Sequence, residues 1–446
     1  MNRNKYTNAL IENTTTLRLK LMMTAVLGLL AIYSLSAQKT ILHCGKILNT
    51  ESTGLLSEMS IVVEDGKITA IQKGYAPGSG DDQVIDLKDQ VVLPGLTDMH
   101  VHIESESSPT QYLERFTLND ADVALRATTY AKKTLMAGFT SVRDMGGSGV
   151  NVSLRNAINR GYVDGPRIYT AEKAIGTTGG HADPTNGRKR DEMDDPGPKE
   201  GVINGPEDAR KAVRQRYKNG ADCIKITATG GVLSLAKDGQ GPQFTQEELE
   251  AIVQTAKDYG FHTAAHAHGP EGMKRAVLAG ITTIEHGTMM TEEIMELMKE
   301  KGTYYVPTIS AGMFVAEKAK QPGYFPPVIV PKALAIGPQI ADTFAKAYKS
   351  GVKIAFGTDS AVSPHGDNGN EFIYMVEAGM PALEAIKAAT LTPAQILGVS
   401  DQLGTLTEGK LADIIAVPGD PTKDIKVMTA VSFVMKDGKV YKQPLH

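Results

Sequence analysis

Two histidines one residue apart, His100 and His102, close the apolar run Leu93-Pro94-Gly95-Leu96-Thr97-Asp98-Met99-His100-Val101-His102. Strand side chains alternate faces, so both imidazoles aim at one spot. Neutral imidazole is a good ligand for zinc and similar divalent ions. Alone, such a pair is as compatible with two unrelated histidines as with a metal site. Four further residues shift the balance: Lys225 in C-I-K-I-T, His266 in A-A-H-A-H-G, His286 in I-E-H-G and Asp359 in F-G-T-D-S. Each stands at or near the C-terminal end of a strand-like run. Each also has a duller reading, since a strand-end Asp can cap the next helix and a histidine can be a satisfied core residue. Together they point to a metal centre assembled from His100, His102, Lys225, His266, His286 and Asp359.

Something must hold six residues spread over 260 positions together. Short β-branched or apolar runs occur at 95–102, 140–145, 167–171, 223–229, 263–268, 282–286, 304–309 and 352–358. Helix-like segments separate them at 122–137, 152–159, 206–218, 245–258, 270–278, 292–301 and 332–349. Several of these end at a glycine just before the next strand (Gly138, Gly220, Gly260, Gly280, Gly302, Gly351), as helix C-termini do. Alternating strand and helix implies a parallel sheet, and eight such units predict an α/β chain folded as a (β/α)8 TIM barrel over 93–401. Active sites on that architecture occupy the C-terminal ends of the strands, where the six residues fall. The open doubly wound alternative lacks a G-x-G-x-x-G turn after the first strand. The flanks, 38–92 and 402–446, read as short strands with turns such as Asp437-Gly438, and are predicted to pair into a small β-sandwich beside the barrel.

The remaining composition narrows the class. With 41% hydrophobic and 22% charged residues, net charge −4 and no long basic run, the chain carries no nucleic-acid footprint. Arg18 and Lys20 precede an apolar run from Leu21 to Leu35 that ends in Ser-Leu-Ser-Ala, the pattern of a cleaved signal peptide over 1–37. The run is short for a membrane span, and no Cys follows it to carry a lipid. An exported, periplasmic or secreted protein without a stable membrane anchor is expected. Cys44 and Cys223, the only cysteines, fall in strand regions and read as buried free thiols. No Ser sits in a G-x-S-x-G turn, so a serine nucleophile is not indicated.

The set H-x-H, strand-four Lys, two later His and strand-eight Asp resembles the binuclear-metal branch of the amidohydrolase superfamily. The likeness spans nearly the whole mature chain, including G-T-L-x-x-G-K-x-A-D (404–413). The segments V-R-D (142–144), T-G-G-H (178–181), K-I-x-A-T-G-G (225–231) and A-H-A-H-G (265–269) are similar to the Xaa-Pro dipeptidase-like group, which includes ochratoxin-hydrolysing amidases. That resemblance implies two divalent ions, zinc being the expected metal, bridged by N6-carboxylated Lys225. His100, His102, Lys225 and Asp359 would surround one ion, and Lys225, His266 and His286 the other. A hydroxide shared by the pair is the implied nucleophile, with Asp359 as general base and then acid. The implied reaction is hydrolysis of an amide bond in a dipeptide or N-acyl amino acid, a small-molecule substrate with a free C-terminal carboxylate.

Three more residues are candidates for the substrate. His181 and His268 could face the pocket, where the resemblance implies catalytic or substrate-binding groups that orient the carbonyl or the carboxylate, against the alternative that they only support the ligands from behind. Arg143 could clamp a carboxylate through its planar fork, against the alternative of an internal salt bridge with Asp144. His365 reads as a solvated loop histidine rather than a pocket lid, and His43, His262 and His446 as structural. Among rivals, a metal-dependent deaminase usually lacks the strand-four lysine. A cyclic-amide or lactone hydrolase of the same superfamily shares the lysine but not A-H-A-H-G and T-G-G-H. A non-catalytic binding relative would have lost ligands that this chain keeps. Self-association into a homo-oligomer is left open.

Overall fold

A computed structural model describes residues 38–50, 54–189, 194–235 and 239–444. The leader expected at 1–37, and His446, lie outside them. Before the metal-ligand region come strands β1 (Thr40–Leu48), β2 (Leu55–Glu64), β3 (Lys67–Lys73) and β4 (Gln83–Pro94). The central region contributes β5 (Leu96–Val101), β6 (Phe139–Asp144), β7 (Arg167–Thr170), the two-residue β8 (Gly176–Thr177) and β9 (Val202–Ile203), then β10 (Ile224–Thr227), β11 (Thr263–Ala267), β12 (Thr283–His286) and β13 (Tyr304–Val306). The chain ends in β14 (Ile414–Val417), β15 (Phe433–Lys436) and β16 (Lys439–Lys442).

The α/β alternation follows from local chemistry. Thr245 and Glu248 cap each other's backbone at the start of the helix Gln246–Asp258, and Pro206 and Pro270 occupy the first helical turn of their helices. Gly220, Gly280, Gly302 and Gly351 end their helices in the left-handed conformation. β5, β6 and β7 form one parallel sheet and β10 to β13 another, in sequential order. Residues Ile224, Ile226, Ala265, Ala267 and Ile284 bury their side chains in the main apolar core, whereas the alternate positions Lys225 and His266 face the cavity described below.

Isolated parallel bridges tie the outer strands of these sheets to residues outside them, Ile226 of β10 to Ile175, Tyr305 of β13 to Ile354 and Val101 of β5 to Ser360. The eighth run, expected as a strand over 352–358, makes bridges rather than a ladder. Its Lys353 and Phe356 carbonyls accept from Tyr305 and Met99, but the Phe356 amide is taken by the Ala388 carbonyl instead of a neighbouring strand. Helices Gln111–Thr117, Ile309–Lys318, Asn370–Glu377, Ala382–Ala388 and Leu391–Leu397 were not anticipated.

The two flanks do pair, but strand order runs through one seven-stranded sheet, β16-β15-β14-β4-β1-β2-β3, rather than two separately ordered layers. It curls so that its edge strand β3 reaches the segment leading into β14. Lys67 on β3 bridges Leu411 ahead of β14, and Ala412 donates to the Gly66 carbonyl. One apolar cluster inside the curl takes Leu42 and Ile61 from one flank and Ile414 and Phe433 from the other. Cys44 is buried in it, and Cys223 is buried in the central region; both are free thiols. Among the described residues no helix is long and apolar enough to cross a membrane.

β1 shifts register against β4 between Cys44 and Lys46, which brings the backbone of Gly45 against β4. A Cβ there would lie 1.8 Å from the Lys88 carbonyl oxygen. Gly45→Ala should therefore lower the denaturant midpoint, costing about 1–3 kcal/mol as overpacking does, while Gly54→Ala, which meets nothing within 4 Å, should leave it nearly unchanged. Equal midpoints for the two variants would contradict the close approach.

Candidate metal centre

His100 is fully buried on β5, and His102 stands just beyond its end with its side chain 31% exposed. The Nδ1 of His100 lies 2.7 Å from Glu285 Oε2, and that of His102 lies 2.6 Å from the Gly146 carbonyl. With Nδ1 donating in each ring, both Nε2 lone pairs are turned toward Asp359. Asp359 Oδ1 sits 3.6 Å from each Nε2. That oxygen is buried and has no hydrogen-bond partner. An orphaned buried carboxylate oxygen is costly, whereas ligands about 2.1 Å from a tetrahedral zinc stand roughly 3.4 Å apart. The spacing and the unpaired oxygen fit a cation at this point.

Three other elements add the remaining groups. Lys225 on β10 places Nζ 3.4 Å from His100 Nε2. His286, at the end of β12, has its ring centroid 4.9 Å from that of His100 and 4.6 Å from that of His266 on β11. All six expected ligands line one cavity of about 320 Å³. His286 and Asp359 both adopt positive φ, 68° and 57°, conformations sparsely populated by residues other than glycine. The turn matters at His286: its neighbour Glu285 already points inward, and regular alternation would send His286 outward. Its Nδ1 is held 2.8 Å from Thr308 Oγ1, and Thr308 is itself at φ 54°.

Burial governs the electrostatics. It pushes the Lys225 ammonium down to about 8 despite the opposing charges of Glu285 and Asp359, and pushes Asp359 up to about 6. His100, His266 and His286 are held well below the usual imidazole range for the same reason. The three buried imidazoles are thus held neutral, the state that metal ligation needs, beside a lysine whose charge burial disfavours.

His181 and His268 join the same cavity. The ring of His181 lies 4.4 Å from that of His266, in a space that a Cβ on Gly231 would fill, and its buried Nδ1 has no partner. His268 Nδ1 stands 2.9 Å from Thr288 Oγ1. Burial lowers His181 to about 3 and His268 to about 4.

Arg143 goes elsewhere. Its side chain is fully buried, does not line the cavity and does not pair with Asp144. It donates from Nε to the Met99 carbonyl at 2.7 Å, from Nη1 to Thr283 Oγ1 at 3.2 Å and from Nη2 to Glu285 Oε1 at 2.8 Å. The expected carboxylate clamp is therefore a support for Glu285, which in turn orients His100. A planar fork suits a buried carboxylate of the fold as well as a substrate carboxylate, and the sequence carried no information about depth. Glu285 was missed altogether; its one signal was its place beside His286 on an apolar strand. His365 is also buried rather than solvated, stacked on Tyr130 and 2.9 Å from the Ser105 carbonyl.

Residues 91–441 match the model of the amidohydrolase family. The ochratoxinase of Aspergillus niger is 36% identical over 376 residues, covering 79% of this chain and 76% of the relative. Among solved structures, a Xaa-Pro dipeptidase with bound methionine in the active site is 55% identical with a TM-score of 0.88, covering 91% of this chain and all of that one. A prolidase complexed with N-methylphosphonate-L-proline is 32% identical with a TM-score of 0.83, at 91% and 100% coverage.

Arg143→Met would leave the Glu285 carboxylate buried without its cation. The variant should lose about 3–5 kcal/mol of stability in denaturant titrations and bind metal about 10–100-fold more weakly. A variant of parental stability that loses activity only on substrates with a free carboxylate would restore the clamp role.

Proposed function

The chain belongs to the amidohydrolase family, and on that premise we propose that it is a binuclear metal-dependent hydrolase of dipeptides or N-acyl amino acids with a free C-terminal carboxylate. That it is a hydrolase acting on amide bonds follows from the family and its relatives. The observation that carries the finer reading is the convergence of four histidines, Lys225 and the orphaned Asp359 oxygen in one cavity. Six donors are too many for one tetrahedral zinc. We read the parallel strands and their bridging eighth run as one closed (β/α)8 barrel with these residues at its C-terminal mouth.

Lys225 supports two ions rather than one. A buried ammonium would repel a cation, but the neutral amine that burial favours is the form able to take up CO2. The resulting carbamate would be an anionic bridge, with His100, His102 and Asp359 on one side and His266 and His286 on the other. Bound there, the ions would lower the pKa of water toward neutrality and polarise the scissile carbonyl.

The remaining chemistry belongs to the chain's own residues. Asp359 would accept a proton from the attacking water and return it to the departing nitrogen. His181 and His268, both neutral, can donate an N–H to the carbonyl oxygen as charge develops on it. The apolar wall of Val315, Ile336 and Ile340 suits an apolar substrate side chain. A methionine in the active site of one relative and an L-proline derivative in another support an amino-acid product bearing a free carboxylate.

The direct test is a panel of dipeptides and N-acyl amino acids, each offered as free acid and as carboxamide to metal-loaded enzyme. Free acids should win by about tenfold or more in kcat/KM, the worth of one charge-assisted contact. Equal rates would favour a cyclic-amide or lactone hydrolase instead. In the same assay Asp359→Asn should retain most of its metal and lose about 10²–10⁴-fold in kcat; an Asn variant of parental rate would move the proton transfer to His181 or His268.

A further inference from the structure

With Arg143 committed to Glu285, some other group must meet a substrate carboxylate. The cavity wall offers two cationic side chains. Lys225 is buried against His100. The other is Arg115, on the helix Gln111–Thr117 that follows β5. Among the described residues its guanidinium makes no ion pair and no side-chain hydrogen bond; its one partner is the face of Tyr112, 5.3 Å from the ring centroid. Arg126, by contrast, is paired with Glu114, and Arg143 with Glu285. Arg115 is exposed at the mouth of the cavity, and its planar fork offers donors in a fixed bidentate geometry that suits a carboxylate.

The placement is built rather than loose. The Tyr112 hydroxyl donates to the carbonyl of Leu233, itself a cavity-lining residue, at 3.1 Å. From the other side Arg188 Nη2 donates to the Arg115 carbonyl at 3.2 Å. The short helix is thus tied to two separate loops, and the aromatic face restricts where the guanidinium can go. Arg115 also borders a second hollow that shares His102, Ser105 and Gln111 with the main one, so it stands where the two join. Three acids of that hollow have partners of their own: Glu104 accepts from the Ser148 and Asn151 amides, Glu106 from the His365 amide, and Glu114 from Arg126. The fourth, Asp120, lines the hollow too but makes no ion pair with Arg115.

We infer that Arg115 binds the substrate's terminal carboxylate and sets the preference for free acids. The inference rests on the proposed amino-acid substrate class, and one kinetic comparison separates the two. The probes are N-acetyl-L-methionine, its carboxamide, and N-succinyl-L-methionine carboxamide, which moves the negative charge to the acyl end. In parental metal-loaded enzyme the free acid should be preferred over its carboxamide. In Arg115→Met that preference should fall by about tenfold or more, chiefly through KM, since a charge-assisted bidentate contact is removed. Arg115→Lys should recover part of it, keeping the charge without the fork.

A proportionate loss on acid and carboxamide would overturn the inference and assign Arg115 to holding its helix. A loss confined to the succinyl substrate would overturn it too, placing the acyl group rather than the carboxylate at Arg115. A parental enzyme indifferent to the carboxylate would instead defeat the substrate class itself, before any variant is made.

Discussion

The carboxylate of Glu285 is the point through which the interior of the molecule and its chemistry are joined. It is fully buried, and alone it would be a severe penalty. Arg143 neutralises one oxygen, with Thr283 beside it, while the other oxygen receives Nδ1 of His100. Arg143 is in turn anchored to the backbone of β5 at Met99. Three strands of the central sheets, β5, β6 and β12, are therefore tied to one anion, and the tautomer of the first metal-ligand candidate is chosen by it. A buried ion pair of this kind is weak evidence for stability, because desolvation offsets much of the attraction. Its value here is orientational: it holds a ring in the pose that leaves Nε2 free for a cation.

The same logic recurs around the site with different partners. His102 leans on the Gly146 carbonyl, His286 on Thr308, and His268 on Thr288. Thr308 begins a helix whose first amides, of Ile309 and Ser310, donate to the buried carboxylate of Glu371. Each ring is steered through its Nδ1 by a backbone carbonyl or a threonine hydroxyl. Residues at His286, Thr308 and Asp359 hold left-handed backbone conformations to make this possible. Such conformations persist only where surrounding contacts over-determine them.

Residue type and spacing made the convergence of the six metal-site candidates readable, since strand-end positions on a repeating α/β pattern share one rim. The supports behind them were not readable. Period-two alternation separates inside from outside but says nothing of depth, and the fork of Arg143 fits a buried Glu as well as a substrate, so the residue was assigned to the wrong level. Glu285 left almost no trace, because a single acid in a strand looks the same whether it meets an arginine or water. The eighth run lost its ladder to Ala388, a partner more than thirty residues away that no local pattern reveals. The unexpected helices are short, and Ala382–Ala388 did carry a signal in Pro381 at its N-cap. The flanks were matched to each other because neither could form a stable sheet alone, although their single curled sheet depends on register that composition does not encode.

That curled sheet has a consequence for how the chain comes together. β4 must pair with β14, and β3 with the segment at Leu411, so partners more than 300 residues apart complete one sheet. As the polypeptide emerges, β1 to β4 are made first and then wait through the whole central region with the edge of β4 and the face of Leu42 and Ile61 uncovered. Contacts this distant slow folding, and an uncovered strand edge invites pairing with other chains. The segment from Leu411 through β16 therefore acts as a closing seal, and a chain released without it would present its oldest strands as its stickiest surface.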